Sequence, residues 1–343
     1  MVPLQGSAGM FGPSCESCAD LAVAELNQGS GILGREVDLV TIDGGAHPDV
    51  VAAAVGDLAD RGQLDAVTGW HISAVRKALM RRLSGRIPYI YPALHEGEFR
   101  TPGLYMTGES PRGQLLPALS WLAAEAGARR WSVVGNDYVW PTRMASHAMS
   151  FFAANDLDCL GTSFVPMGTR DFTRQYAWMA EQAPDAVLML LVGDDAVRFS
   201  RGFTRLGLDS SITRFSPILE ENQLLAMGSA AGGHMYSAAG YFESLPTAGS
   251  LDFSRRYHRR FGVEAPVLNS IGQSCYEAIS LLATMATRSG GISVAAMQSG
   301  ADGTVIDGTR GTIRVTGNAV AQDVYLARVS GLDLEVVDRV HVA

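Results

Sequence analysis

Through the first two thirds of this chain, short apolar runs alternate with amphipathic stretches, and the loops between them are brief. That alternation constrains the fold most. A short apolar run bounded by turn residues reads as a strand buried on both faces, and an apolar stripe at helical spacing reads as a helix lying on a sheet. Strands are expected over 36–42, 64–68, 87–91, 131–135, 159–165 and 186–191. Helices are expected between them, over 47–61, 73–83, 113–126, 141–154, 172–182 and 195–206. Repeated strand–helix–strand units give parallel sheets with helices on both faces. Beyond residue 210 the rhythm changes. Short strands at 215–219 and 233–239 precede helices at 251–261 and 271–287, and the tail alternates over 311–315, 324–329 and 334–340 like an antiparallel meander. With 343 residues the chain is too long for one comfortable doubly wound sheet. Two α/β lobes fit better, with a junction near 107–113, where Gly, Ser and Pro cluster.

Composition removes several classes of function. A formal charge of -8 argues against nucleic acid, which needs a basic footprint. The apolar fraction of 47% excludes a disordered chain, and no apolar run is long and uninterrupted enough to span a membrane. Gly6, Gly9 and Gly12 follow a first short strand, but their spacing is not that of a dinucleotide fingerprint. A P-loop, a G-x-S-x-G elbow and an H-E-x-x-H helix are absent from the sequence, and no two histidines stand four residues apart. No catalytic residues are therefore expected. Cys15 and Cys18 form one half of a zinc motif whose second half is missing, so no metal and no cofactor are expected. The two cysteines lie one turn apart on a helix, or form a local disulfide. A single lysine, Lys77, stands among 27 lysines and arginines.

What remains are polar and aromatic residues at strand-to-helix junctions, where parallel sheets bind ligands. The first junction runs from Gly69 through Trp70, His71 and Ile72 to Ser73, a natural start for the helix that carries Lys77. The others lie at Tyr91–His95–Glu96, at Asn136–Tyr138–Trp140, at Gly193–Asp194–Asp195 and at Glu220–Glu221–Asn222. Each one alone reads equally as capping and loop packing. Asp171 and Asp195 are expected as helix caps, and Glu221 as an exposed charge at a helix start.

Three blocks carry a family resemblance. "GWHISAVRKALM", "PYIYPALHEGEF" and "VVGNDYVWPTRMASHAM" followed by "GTSFVPMGTRDFT" are similar to segments of the type I periplasmic-binding-protein family, in its amide, urea and branched-chain amino acid subgroup. Weaker likeness runs through "GYFESLP", "SCYEAISLLA" and "GTRGTIRV", so it covers nearly the whole chain. The resemblance implies two doubly wound parallel-sheet lobes joined by a hinge of three crossovers, with lobe one at 1–111 and 239–308, lobe two at 112–238 and 309–343, and a ligand cleft between them. Residue by residue, Ser73 matches the family's ligand-binding serine. His71 stands where amide sensors have a tyrosine, and Phe11 where amino acid binders have one. Tyr91 and Tyr138 match cleft tyrosines. Glu220 falls near the acidic residue that holds a ligand ammonium group. Ala93 and Leu219 stand where relatives carry threonines, so two hydroxyls are lost and an imidazole gained. Ser73 and its neighbouring N–H groups are expected to hold a carbonyl or carboxylate oxygen, edged by Tyr91 and covered by Tyr138 and Trp140. Glu220 or Asp194 would accept from the ligand's N–H.

The function implied is that of a substrate-binding protein of an ABC uptake system, closing on a small polar ligand (an amide, urea derivative or amino acid) and delivering it to a permease. The alternative is a cytoplasmic sensor that controls a regulator protein. A homodimer through lobe one is common on this fold. Val2, Pro3 and Leu4 read as the end of a strand whose beginning is absent, which agrees with removal of a signal peptide and an extracytoplasmic location; a short strand in a cytoplasmic protein is the alternative.

Overall fold

A computed structural model describes residues 1–97 and 101–340. The end of the "PYIYPALHEGEF" block and His341 lie outside these residues. The chain forms two compact units, residues 1–108 with 245–323 and residues 109–244 with 324–343, and passes from one to the other three times.

In chain order, the first unit begins with α1 (Gly12–Gln28), α2 (Pro48–Asp60), β1 (Val67–Thr68), α3 (Ser73–Leu83), β2 (Tyr89–Tyr91) and β3 (Leu104–Met106). The second unit contributes α4 (Leu116–Glu125), β4 (Arg130–Asn136), α5 (Val139–Ala154), β5 (Asp158–Val165), α6 (Thr173–Gln182), β6 (Ala186–Leu190), α7 (Asp194–Arg205), β7 (Thr213–Ser216), α8 (Glu221–Met227) and β8 (Met235–Ala239). The chain then returns for α9 (Ala248–Phe261), α10 (Ser270–Ser289), α11 (Val294–Gly300), β9 (Val305–Gly308), β10 (Gly311–Thr316) and β11 (Ala319–Ala321). It ends in the second unit with β12 (Val324–Ser330) and β13 (Asp333–Val340).

Among the described residues the first unit holds a six-stranded sheet in the order β1-β2-β3-β11-β10-β9. β1, β2, β3 and β11 run parallel, and β10 is antiparallel to both its neighbours. Ile90, Tyr105 and Val315 of this sheet pack against Leu281, Met285 and Met297 of α10 and α11. The second unit holds a seven-stranded sheet in the order β13-β12-β8-β7-β6-β4-β5. Its strands from β8 to β5 are parallel, and β12 and β13 are antiparallel additions at one edge. Every residue of β6 is buried, as its unbroken apolar run requires. Each large side chain removed from water here contributes about 1.5–3 kcal/mol.

Two expectations change. The tail was expected wholly in the second lobe, but 309–323 belongs to the first unit. A tight turn joins β9 to β10, and Ala319 of β11 pairs with Met106 of β3. Arg310, in that turn, is buried. Its guanidinium meets the buried carboxylate of Glu277 on α10 and donates to the Thr107 carbonyl. A charge pair buried this well holds the hairpin to α10, because separating it would leave each ion unpaired in a low-dielectric interior. Second, no strand forms over 36–42. Val2 makes a single parallel bridge to Asp43, and the Asn27 side chain takes both the N–H and the C=O of Val37. Leu39 and Val40 are left exposed.

Candidate functional site

In the first unit, β1 and β2 deliver their carboxyl ends to the residues singled out from the sequence. Glycine is required at position 69, which has a φ of +115° and where a Cβ would lie 2.0 Å from the Met1 carbonyl oxygen. The next residues, Trp70 and His71, are buried. The His71 Nδ1–H donates to the Gly69 carbonyl at 2.8 Å, since a carbonyl only accepts, and the Tyr89 hydroxyl donates to Nε2 at 2.5 Å. Both ring nitrogens are therefore engaged within the protein. Burial holds the imidazole pKa down at about 3, so the ring is neutral. His71 orients its neighbours. The Tyr91 hydroxyl donates to the His71 carbonyl at 2.8 Å, and burial pushes its pKa up to about 12.

Ser73 opens α3, and no side chain caps that helix. The first-turn amides thus carry the positive end of the helix dipole without a side-chain acceptor. The Ser73 hydroxyl itself donates to Glu96 at 2.8 Å, and Arg76, one turn on, meets the same carboxylate at 2.6 Å. The Arg76 guanidinium also lies 5.0 Å from the centre of the Tyr91 ring. Arg76 and Glu96 are both buried, so this unit carries a compensated charge pair behind the helix start. Phe11 is fully buried and meets Trp70 edge-on, with ring centroids 5.4 Å apart. The Trp70 indole N–H is buried and has no hydrogen-bond partner among the described residues. Ala93 is buried, and its carbonyl oxygen lies so near Gly108 that a Cβ there would approach it to 2.1 Å.

In the second unit, β4 ends at Asn136, which organises the junction. Its amide donates to Asp195 at 2.7 Å and its carbonyl oxygen accepts from the Val192 N–H at 2.8 Å. Asp195 also accepts from the Gly168 N–H at 2.8 Å and from Arg198 at 3.1 Å. Asp195 was expected to cap a helix; it lies inside the first turn of α7 and joins two strand ends instead. Asp194 is half-buried and pairs with Arg198 at 3.1 Å. Tyr138 is half-buried and stacks on Trp140, with centroids 6.4 Å apart. Trp140 is buried, and its indole N–H has no partner among the described residues. Glu220 is buried and forms a capping box with Gln223 at the start of α8. Glu221 was expected to be an exposed charge and is buried instead. One oxygen accepts from the Glu243 N–H at 2.8 Å, the other has no partner among the described residues, and burial raises its pKa to about 8.

Phe11, His71, Ser73, Tyr91 and Ala93 thus lie in the first unit, and Tyr138, Trp140, Asp194 and Glu220 in the second. Sequence reasoning placed Trp70, Glu96 and Asn136 at these junctions without giving them a ligand role, and passed over Arg76. Arg76 was detectable, because it stands three residues after Ser73 and so shares its helix face. A cavity of about 280 Å³ in the first unit, edged by Val37, Leu39, Val67 and Ile279, includes none of the nine expected ligand residues. Among the described residues, no cluster of histidine, cysteine and acidic side chains could hold a metal ion, and no helix is long and apolar enough to cross a membrane.

Comparison with known proteins agrees with this architecture. A solute-binding protein of an ABC transporter from Rhodopseudomonas palustris BisB5, in complex with 3,4-dihydroxybenzoic acid, is 20% identical, with a TM-score of 0.87 over 100% of this chain and 96% of that one. One from Rhodopseudomonas palustris HaA2, in complex with p-hydroxybenzoic acid, is 18% identical, with a TM-score of 0.90 over 99% and 95%. The branched-chain amino acid transporter substrate-binding protein of Streptococcus pneumoniae, in complex with isoleucine, is 18% identical, with a TM-score of 0.85 over 98% and 97%. At these identities the likeness establishes the fold. A family model, that of the periplasmic binding proteins, matches residues 1–333. Members of that family are non-enzymatic proteins that bind small solutes and deliver them to ABC permeases. The chain belongs to the periplasmic binding protein family.

Proposed function

We propose that this protein is the solute-binding component of an ABC uptake system, acting outside the cytoplasm on a small ligand that carries a carboxylate on an apolar or aromatic body. The observation that carries the reading is the start of α3. Its first-turn amides have no side-chain cap, and the buried indole N–H of Trp70, without a partner among the described residues, stands three residues before Ser73. Uncapped amides at a helix start and an unpaired indole donor suit an anionic oxygen. Each unit also brings aromatic rings together at its junction: Phe11 and Trp70 in this unit, Tyr138 and Trp140 in the other. The positions where relatives carry threonines hold the apolar Ala93 and Leu219, which favours an apolar ligand body over an amide or urea. The fold neighbours that hold benzoates and isoleucine support the same ligand class, since all of those ligands are carboxylates. Ser73 and Tyr91 serve by position: their hydroxyls are engaged with Glu96 and the His71 carbonyl, and they set the backbone that meets the ligand.

The test is isothermal calorimetry against benzoate, hydroxybenzoates, branched-chain amino acids, acetamide and urea. Binding of one or more carboxylates, with no heat from acetamide or urea, is the expected result. Binding of the neutral amides alone would overturn the ligand class.

A further inference from the structure

Three of the four cysteines play no part in the site, yet all three are buried together where α1 crosses α10. The two helices approach closely at their starts. A Cβ on Gly272 would lie 2.9 Å from the Ser14 side chain and 3.0 Å from its carbonyl oxygen, so only glycine allows this contact. Asn269, which caps α10, donates to the Ser14 hydroxyl at 3.0 Å and fixes the register. One residue on from Ser14 stands Cys15, and three on from Gly272 stands Cys275. Their sulfur groups are hydrogen-bonded to each other, and the backbone N–H of Trp70, not its indole, also donates to the Cys275 sulfur. Backbones this close bring paired cysteines into the range that a disulfide spans. Cys18, one turn after Cys15, is buried beside them.

We propose that Cys15 and Cys275 are the two halves of a structural disulfide, made when the protein folds in an oxidising compartment, that clamps α1 to α10. The oxidant is a disulfide, either of a small thiol or of a thiol–disulfide exchange protein. The thiolate of Cys275 attacks one sulfur of that oxidant, forms a mixed disulfide and releases one thiol. The thiolate of Cys15 then attacks the Cys275 sulfur, forming the internal bond and releasing the second thiol. Two protons pass from the cysteines to the two departing thiolates, and the oxidant takes up two electrons. The hydrogen bond from Cys15 holds the Cys275 thiol below its ordinary range, whereas burial pushes Cys15 and Cys18 well above theirs. These shifts belong to the docked helices and do not set the order of attack; the same two steps run equally with the roles of Cys15 and Cys275 exchanged. Both sulfurs are shut off from solvent in the folded unit, so exchange takes place before α10 has fully docked. Because Phe11 immediately precedes α1, the same bond would hold that ring against Trp70.

The experiment refolds the full chain from denaturant in a mixture of reduced and oxidised glutathione, then denatures it, alkylates free thiols and maps the peptides by mass spectrometry. A Cys15–Cys275 linked peptide, two hydrogen masses lighter than its reduced form, with Cys18 alkylated, is the expected result. Reduction before unfolding should lower Tm by on the order of 5 °C. Alkylation of Cys15, Cys18 and Cys275 alike, or a Cys15–Cys18 or Cys18–Cys275 link instead, would overturn the proposal. The Cys18→Ser variant should keep the link and the Cys275→Ala variant should abolish it. If a variant does not fold, the thiol map of the unaltered chain still decides.

Discussion

The two units build their strand-to-helix junctions on the same parallel topology and treat charge there in opposite ways. In the first unit, α3 begins without a capping side chain, and the acidic Glu96 is held by Ser73 and Arg76 behind the helix. In the second unit the starts of α7 and α8 carry acids. Asp194 and Asp195 lie in the first turn of α7, while Glu220 caps α8 and Glu221 follows it. Acids at a helix start satisfy its dipole from within and disfavour a second anion. This contrast is why the proposed function gives a ligand's negative end to the start of α3 in the first unit.

The sharpest break of this comparison is Arg76→Met. It leaves Glu96 buried without its counter-ion and should cost about 3–5 kcal/mol of unfolding free energy, measured by denaturant titration. Adding Glu96→Gln should recover most of that loss. If the single variant were as stable as the parent, the pair would not be holding the first junction together. Next comes Asp195→Asn in the second unit. Asp195 accepts charge-assisted or backbone hydrogen bonds from Asn136, Gly168 and Arg198, and its neutralisation should cost about 2–3 kcal/mol. A thermal melt that stays at the parent midpoint would remove the network from the account.

A smaller effect is expected from pH. Folding raises the Glu221 carboxyl from 4.5 to about 8, through burial. The folded protein therefore keeps a proton that the unfolded chain releases. The stability this group contributes is complete below pH 4.5 and is lost as pH rises through 8, at no more than about 1.4 kcal/mol per pH unit. Glu221→Gln should flatten that part of the stability–pH curve, and an unchanged slope in the variant would refute the assignment. The finest test is Trp70→Phe, which keeps the ring and removes the unpaired N–H. Affinity for a bound carboxylate should fall roughly tenfold, with stability unchanged. Equal calorimetric affinities would move the anion-holding role away from Trp70.

Much of the architecture was legible in the residues. The run from Ala186 to Leu190 is apolar at every position and is the buried centre of the second sheet. The helix over 73–83 and the helix and strand positions of the second unit follow from periodicity alone. The failures have one cause. Residues 36–42 look like a strand, but a strand needs a partner along its length, and Val2 supplies one bridge. The tail strands after residue 308 were recognised, but not the sheet each would join, because alternation names a strand and not its neighbour. Glu221 reads as an exposed acid until the 240–243 segment is seen to lie over it. Lys77, conspicuous in the sequence, is exposed, whereas the unremarked Arg76 beside it is wholly buried.

The sequence by itself determined that this chain forms two parallel-sheet lobes, and it singled out strand-end residues such as Ser73, Tyr91 and Tyr138 as ligand candidates. Local periodicity and residue chemistry suffice for that, because both act between near neighbours in the chain. Only the tertiary structure decided which of those groups are already engaged within the protein. Hydrogen-bond partners come from distant segments: Glu96 claims the Ser73 hydroxyl and the His71 carbonyl claims Tyr91. The indole of Trp70 is left with a buried donor and no acceptor among the described residues, and a buried donor without a partner is costly until something binds it.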